Sequence, residues 1–300
     1  MTKIINQLSL SGIRYFTDEP MKNHTSFKTG GNAALFIEPQ SEDELINVLS
    51  LCSENNADVF VLGKGSNLLV SDEGIKDKAV IHLAQGLDEI RLEDETTIVA
   101  GAGASLASLC KFALANELTG LEFAYGIPGS CGGAAFMNAG AYGGEMKDVL
   151  VSCTHLDKNG EKGFFCGDEL DLSYRHSVYS GSDLIITSLT LKLQKGNKSE
   201  IESKMNKLMG RRKDKQPLEY PSAGSVFKRP EGYFAGALIE QSGLKGVSVG
   251  GAMVSEKHAG FIINYDNATT TDVINLIRHC QKTVKDNFGV ELETEIRFVL

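Results

Sequence analysis

The chain is 300 residues long, carries a formal net charge of −9 with a pI near 5.3, and is 42% hydrophobic. That length is more than one core usually supports and predicts two or three domains with ample apolar content to bury. An acidic chain without an extended basic stripe disfavours a nucleic-acid partner, because proteins held on phosphate backbones carry a basic face.

No apolar run of signal-peptide length opens the chain, and no window approaches the roughly 18 apolar residues of a membrane helix, so a cytoplasmic protein is expected. Cys52, Cys110, Cys131, Cys153, Cys166 and Cys280 form no Cys-x-x-Cys pair, and no histidine stands at metal-site spacing. They are expected to be reduced small hydrophobes with no metal bound, Cys131 included.

In chain order, the first twenty or so residues read as a lead-in to His24-Thr25-Ser26-Phe27-Lys28-Thr29-Gly30-Gly31 and a strand at residues 34–38. Ser41 with Glu44 makes a capping box that opens a helix running to about Asn55, with Leu45, Val48, Leu49 and Cys52 on one face. A short buried strand at residues 59–62 is broken by Gly63-Lys64-Gly65-Ser66-Asn67 before Leu68-Leu69-Val70 resumes it. That loop fits neither the Walker loop nor the dinucleotide fingerprint. Between two strands it is suited to offer N–H groups and the Ser66 hydroxyl to a diphosphate; a plain tight hairpin is the alternative.

Strands are expected at residues 79–83, 89–92 and 97–100, the last running into Gly101-Ala102-Gly103-Ala104-Ser105 and a helix from about Leu106 to Glu117. With Glu122 near the distance of a ribose carboxylate, this imitates a nicotinamide-binding crossover. The third glycine is missing, with Leu106 in its place, and the preceding elements pair like a hairpin, so the Rossmann reading is not favoured.

The rest of the chain is organised around residues 126–145, Gly-Ile-Pro-Gly-Ser-Cys-Gly-Gly-Ala-Ala-Phe-Met-Asn-Ala-Gly-Ala-Tyr-Gly-Gly-Glu. Glycine at this density frees the backbone to take positive φ and to turn its N–H groups outward. Pro128 stiffens one corner, while Ser130 and Asn138 add short polar side chains suited to a phosphate or a flat polar ring. A crowded turn that needs small residues for packing is the alternative.

Beyond it, Asn159-Gly160 signals a two-residue hairpin between strands at residues 149–156 and 163–166. Leu172-Ser173-Tyr174-Arg175-His176-Ser177 precedes an apolar strand at residues 184–193. Residues 195–198 read as a linker, after which Ser199 is expected to cap a helix ending in Arg211-Arg212-Lys213-Asp214-Lys215. Such a basic end is either a solvated face favoured by the helix dipole or an anion site. Tyr220-Pro221-Ser222-Ala223-Gly224-Ser225-Val226-Phe227-Lys228-Arg229-Pro230 follows, then a glycine-rich stretch at residues 238–254. Val273, Ile277, Cys280, Val284 and Phe288 mark an amphipathic helix, and residues 291–300 a closing strand in which Glu293, Glu295 and Arg297 alternate with apolar residues.

Three of these places together closely resemble the UDP-N-acetylenolpyruvoylglucosamine reductase family: the loop at residues 63–67, the run from Ile127 to Gly143, and the trio of Tyr174-Arg175, Gly224-Ser225 with Phe227-Lys228, and Glu295-Ile296-Arg297-Phe298. The match runs in order from about Asn23 to the C-terminus. That family is similar to flavoproteins of the vanillyl-alcohol-oxidase type, so the resemblance implies an α+β fold. Two subdomains at residues 1–86 and 87–197 would clasp non-covalent FAD, and residues 198–300 would bind a UDP-sugar.

The resemblance also implies the reaction. Hydride passes from NADPH to FAD and from the flavin to the enolpyruvyl methylene carbon of the UDP-sugar, a step of peptidoglycan precursor synthesis. Hydride addition β to a carboxylate builds charge on that carboxylate, so a cation aimed at it lowers the barrier. Arg175 matches the family's cation, Glu295 the acidic group beside it, and Ser225 the donor that protonates the resulting enolate. A serine hydroxyl is a weak acid, so this role demands a positioned site.

For the cofactor, the motif matches imply Gly63, Gly65, Ser66, Asn67, Leu68, Ile127, Pro128, Gly129, Ser130, Gly132, Gly133, Asn138, Gly140, Ala141 and Tyr142. Substrate contacts are expected at Tyr174, Lys228, Arg229, Arg297, Lys213, Lys245 and His258. One branch of the family carries an inserted tyrosine-bearing segment over the uridine; residues 179–183 are too short to hold it, so this chain resembles the shorter branch. Position 229 carries Arg where some members carry Asn. Another oxidase of the same fold, or a UDP-sugar-binding protein without turnover, are the rival readings.

Overall fold

Buried Ile185, Ile186, Thr187, Leu189 and Leu191 make Ile185–Lys192 the centre of a five-stranded antiparallel sheet. Its order is Lys162–Cys166, Leu150–Leu156, Ile185–Lys192, Thr97–Gly101, Ile90–Leu92. A second, four-stranded sheet runs Arg14–Pro20, Asn32–Glu38, Ile75–His82, Asp58–Leu62, its last two strands parallel. This computed structural model describes residues 1–300. The architecture is α+β, as expected from the sequence.

Two units interleave along the chain. The first comprises Met1–Thr17, Leu35–Lys64 and Asp77–Arg211; the second comprises Asp18–Ala34, Gly65–Lys76 and Arg212–Leu300. In the first, one continuous apolar cluster runs from Ile4 through Leu45, Leu109 and Leu189 to Met205. Helix Glu42–Glu54 is capped by Ser41 as expected, Glu44 N–H donating to Ser41 Oγ (3.2 Å), but the Glu44 carboxylate reaches back to Gln40 N–H (2.8 Å) rather than to Ser41 N–H, so the capping box is only half formed. Leu106–Ala115 is capped likewise, by Ser105 Oγ accepting from Ser108 N–H (3.0 Å).

The second unit has its own core, in which helix Thr270–Phe288 packs Val273, Leu276, Ile277, Cys280 and Val284 beside Leu238, Val254 and Ile262. Its three-stranded sheet is Ser248–Val249, Ala252–Val254, Ile262–Asn264. Asp72 accepts N–H groups from Thr270 (2.7 Å) and Thr271 (2.9 Å), placing a carboxylate at the positive end of that helix.

Four sequence expectations are corrected. The lead-in is helix Thr2–Ser11 and strand Arg14–Pro20; the helix buries only Ile4 and Leu8 and has no side-chain cap, which leaves little periodicity to read. Helix Lys198–Lys215 is capped by Asn197, not Ser199: Asn197 Oδ1 accepts the N–H groups of Ser199 (2.9 Å) and Glu200 (3.3 Å). Asn159-Gly160 is not a two-residue turn, because Asp157 N–H donates to the Glu161 carbonyl (2.9 Å) and the Asp157 carboxylate accepts from Asn159 and Glu161 N–H. Gly160 alone is left-handed there, at φ +83°, which makes a three-residue loop. The closing strand is confined to Arg297–Val299, since Glu293 and Glu295 pair instead with residues 226–228.

Strand Thr97–Gly101 runs antiparallel to both neighbours, so the glycines after it do not begin a parallel crossover. Glu122, the carboxylate that imitated a ribose ligand, is 2% exposed and bound to Thr119 Oγ1, Gly120 N–H (3.2 Å) and Lys204 Nζ (3.2 Å).

Candidate functional site

In the first unit the glycine-rich run folds as helix Cys131–Phe136 and a hairpin of Gly140–Ala141 with Gly144–Glu145. Ser130 caps the helix, accepting from Gly133 N–H (3.3 Å). The next N–H groups are not turned outward as the sequence suggested. Cys131 donates to the Ala104 carbonyl (2.8 Å) and Gly132 to the Ala102 carbonyl (2.9 Å). A Cβ on Gly132 would lie 2.8 Å from Ala102 Cβ, so packing accounts for that glycine. Burial pushes the Cys131 thiol up to about 12, an inert group.

Ile127 and Gly129 are half-buried and Pro128 is exposed beside the cap. At the hairpin tip Tyr142 (φ +56°) and Gly143 (φ +88°) are both left-handed, the geometry of a type I′ turn, and the Arg211 guanidinium lies 5.3 Å from the Tyr142 ring centre.

Asn138, expected to touch a ligand, is fully buried. Its Nδ2 donates to the Ser173 carbonyl (3.0 Å) and its Oδ1 accepts from Lys147 N–H (2.9 Å), so both ends are engaged by backbone. Ser173 and His176 exchange backbone bonds of 3.1 and 3.2 Å around Tyr174 and Arg175. Arg175 is left-handed at φ +57°, with its guanidinium 5.1 Å from the Tyr174 ring centre. A non-glycine residue held there is constrained by its surroundings.

The loop at residues 63–67 is different in kind. None of its five N–H groups donates to an acceptor of the chain. A run of unused backbone donors is an anion-binding concavity, so the donor set fits the diphosphate of a dinucleotide. A Cβ added to Gly63 would collide with Ser130 Oγ, which brings Gly63 and the start of the glycine-rich run together within the first unit.

In the second unit, short backbone pairings gather the remaining candidates. Ser225 bridges to Phe261, Val226 N–H donates to the Gly260 carbonyl (2.9 Å), and on the other edge Glu295 N–H donates to the Val226 carbonyl (2.7 Å). Lys228 N–H continues the pairing onto the Glu293 carbonyl (2.8 Å). Strand Arg297–Val299 then runs parallel to Leu68–Val70, with Arg297 N–H on the Asn67 carbonyl (3.0 Å) and Asn67 Nδ2 on the Glu295 carbonyl (3.1 Å). Asn67, Ser225 and Glu295 are thus neighbours although 228 residues separate the first from the last.

The cations differ in environment. Lys228 Nζ pairs with Glu293 (2.6 Å) and Lys245 Nζ with Glu240 (3.0 Å). Arg229 stacks 4.1 Å from the Phe234 ring centre, and Lys213 is exposed, its carbonyl accepting Lys257 Nζ (2.8 Å). Arg297 keeps exposed surface, yet burial around its head lowers its pKa. His258 accepts Gly260 N–H on Nδ1 (3.1 Å) and packs edge-on to Phe261, whose backbone pairs with Ser225; burial lowers its pKa and favours the neutral ring.

Three polar residues carried no role in the sequence. Ser26 N–H donates to the Gly65 carbonyl (3.1 Å) and its Oγ to the Ser222 carbonyl (2.7 Å), joining two of the motif segments. Thr29 Oγ1 is buried with no partner, and Ser177 Oγ donates to the Phe136 carbonyl (2.8 Å). Serine and threonine beside glycine-rich motifs were the available signal, but they are too common in loops to single out.

Known proteins match the chain over nearly its full length. Residues 33–162 match the family described as FAD binding domain, and residues 216–299 match UDP-N-acetylenolpyruvoylglucosamine reductase, C-terminal domain. The UDP-N-acetylenolpyruvoylglucosamine reductase of Caldanaerobacter subterraneus subsp. tengcongensis is 52% identical over 95% of this chain and 94% of its own. That of Clostridium perfringens strain SM101 is 50% identical over 94% and 92%. The crystal structure of UDP-N-acetylenolpyruvylglucosamine reductase from Thermus caldophilus superposes with a TM-score of 0.81 at 36% identity, covering 95% of this chain and 98% of that one. A glucose dehydrogenase, Phl p 4.0202, matches 65% of this chain and 44% of its own at 15% identity and a TM-score of 0.50, a likeness of fold alone.

Proposed function

The chain belongs to the UDP-N-acetylenolpyruvoylglucosamine reductase family, and from that premise we propose that it converts UDP-N-acetylenolpyruvoylglucosamine to UDP-N-acetylmuramate in peptidoglycan precursor synthesis. The observation that carries this reading is identity of about half over nearly the whole chain, with coverage as complete in the relatives. FAD, bound without a covalent link, supplies the hydride relay from NADPH to the methylene carbon of the enolpyruvyl group.

The chain's own residues do the rest. The unused N–H groups of residues 63–67, with Ser66, would hold the cofactor diphosphate, and residues 127–130, 132–133 and 140–142 would border its rings. Arg175 stabilises negative charge as it grows on the substrate carboxylate, and Glu295 is assigned as the acidic group of the same step. Ser225 protonates the α-carbon. Its support is the pairing of Val226 with Gly260 on one side and Glu295 on the other, which fixes the backbone next to Ser225. Lys213, Lys228, Arg229, Lys245, His258, Arg297 and Tyr174 are assigned to the UDP-sugar, whose diphosphate attracts cations.

The three-part division at residues 1–86, 87–197 and 198–300 is kept as the functional one. The acidic charge supports a protein without nucleic-acid partners, and a cytoplasmic location follows from a soluble nucleotide-sugar substrate; no helix is long and apolar enough to cross a membrane. The test is direct. Purified protein should be yellow, bleach with NADPH under anaerobic conditions, and regain its colour on addition of the enolpyruvyl UDP-sugar. Failure to regain colour would overturn the reading.

A further inference from the structure

We propose that Asn138 and Ser177 form a two-point clamp on the Tyr174-Arg175 turn, which makes Asn138 a positioning residue for Arg175. The inference rests on the reading of Arg175 as the cation that meets the substrate carboxylate. It concerns the first unit only.

The turn is held at both shoulders. Before it, the Ser173 carbonyl accepts Asn138 Nδ2 (3.0 Å) as well as His176 N–H (3.1 Å), so both of its lone pairs are used. After it, Ser177 Oγ donates to the Phe136 carbonyl (2.8 Å). Phe136 ends the short helix of the glycine-rich run and Asn138 lies two residues beyond it, so both ties anchor to one place in the fold. Asn138 and Ser177 are each fully buried, whereas Tyr174 at the tip is 53% exposed. The exposed turn therefore stands on a buried base.

The orientation of the Asn138 amide is fixed by its second bond. Oδ1 faces Lys147 N–H at 2.9 Å, so exchanging oxygen and nitrogen would set donor against donor and acceptor against acceptor. Asn138 is itself left-handed, at φ +42°, a conformation asparagine tolerates better than most residues. Arg175 at φ +57° is not a residue that adopts this backbone unaided, and it persists where surrounding contacts over-determine it. Asn138 and Ser177 provide those contacts, with His176 Nε2 on Asp171 Oδ2 (3.0 Å) as a third tie inside the loop. A cation that must meet a developing charge loses much of its effect when displaced by a fraction of an ångström. The clamp thus acts on the reaction through the aim of Arg175.

Double-mutant kinetics test this. In Asn138→Ala, flavin content should stay at one per chain, reoxidation of the reduced protein by the enolpyruvyl UDP-sugar should slow by a factor on the order of 10², and UDP-N-acetylmuramate, which carries the same carboxylate, should bind several-fold more weakly in calorimetry. Ser177→Ala removes one hydroxyl and should show the same pattern more mildly, which keeps the proposal testable if Asn138→Ala does not fold. In an Arg175→Ala background neither change should slow reoxidation further, because residues acting through one group are not additive. Effects that multiply in that background, flavin loss in either single variant, or wild-type kinetics in Ser177→Ala together with a folded Asn138→Ala would overturn the clamp. Arg175→Ala at the wild-type rate would instead remove the reading of Arg175 on which it rests.

Discussion

Asn67 Nδ2 donates to the carbonyl of Glu295 at 3.1 Å, so a residue of the Gly63-containing loop holds the peptide of the proposed acidic group. The Asn67 carbonyl accepts Arg297 N–H at 3.0 Å, which pins both sides of Ile296. Asn67→Ala should therefore cost about 0.5–1.5 kcal/mol of stability, the usual net value of one such bond. It should also slow flavin reoxidation by the UDP-sugar. Urea unfolding with stopped-flow absorbance checks both, and a variant unchanged in reoxidation would detach Asn67 from Glu295.

Gly63 and Ser130 give a second prediction. A Cβ at position 63 runs into Ser130 Oγ, with Ser130 Cβ the next atom at 3.3 Å. Gly63→Ala should destabilise the protein by about 1–3 kcal/mol, as overpacking does, and lower its flavin content. Adding Ser130→Ala removes the colliding oxygen and should recover much of the stability, less the cost of a lost helix cap. Thermal melts of the two variants decide it; a double variant no better than Gly63→Ala would mean that the collision is not the cause.

Much of this was legible in the sequence and some was not, for physical reasons. Ser41 with Glu44, and the Val273 to Val284 stripe, were readable because caps and helical periods are local. Asn138 was readable as important but not for its reason, since the group it holds is 35 residues away. The carbonyls of Ala102 and Ala104, which take the N–H groups of Gly132 and Cys131, arrive from another segment and leave no trace in the glycine pattern. Asp72 at the start of helix Thr270–Phe288 is invisible for the same reason, lying 198 residues upstream of Thr270.

A third prediction concerns attachment of the cofactor. Cys131, the thiol inside the glycine-rich run, is buried, and burial holds it protonated, with its pKa pushed up to about 12. No covalent flavin link is expected. Acid precipitation should release the yellow colour into the supernatant, and colour retained in the pellet would contradict this.

Glu122 gives the fourth, a pH dependence. Burial works to raise its pKa, but hydrogen bonds from Thr119 and the backbone, together with Lys204, outweigh it and hold the pKa below its ordinary value of 4.5. A carboxylate depressed in the folded state contributes stability that is fully present above its unfolded pKa and is lost as pH falls through the folded one. Melting temperature should therefore fall between pH 4.5 and more acid values less steeply in Glu122→Gln than in the wild type. Parallel slopes would show that Glu122 does not contribute to acid unfolding.

Ser225 as the proton donor to the enolate is tested most directly by separating the two half-reactions. Ser225→Ala protein, reduced anaerobically and mixed with UDP-N-acetylenolpyruvoylglucosamine in a stopped-flow instrument, should reoxidise more slowly by a factor on the order of 10² to 10⁴, the range for a positioned general acid. Its reduction by NADPH should be nearly intact, because that step takes no proton from this site. Reoxidation at the wild-type rate, or loss of NADPH reduction instead, would contradict the assignment.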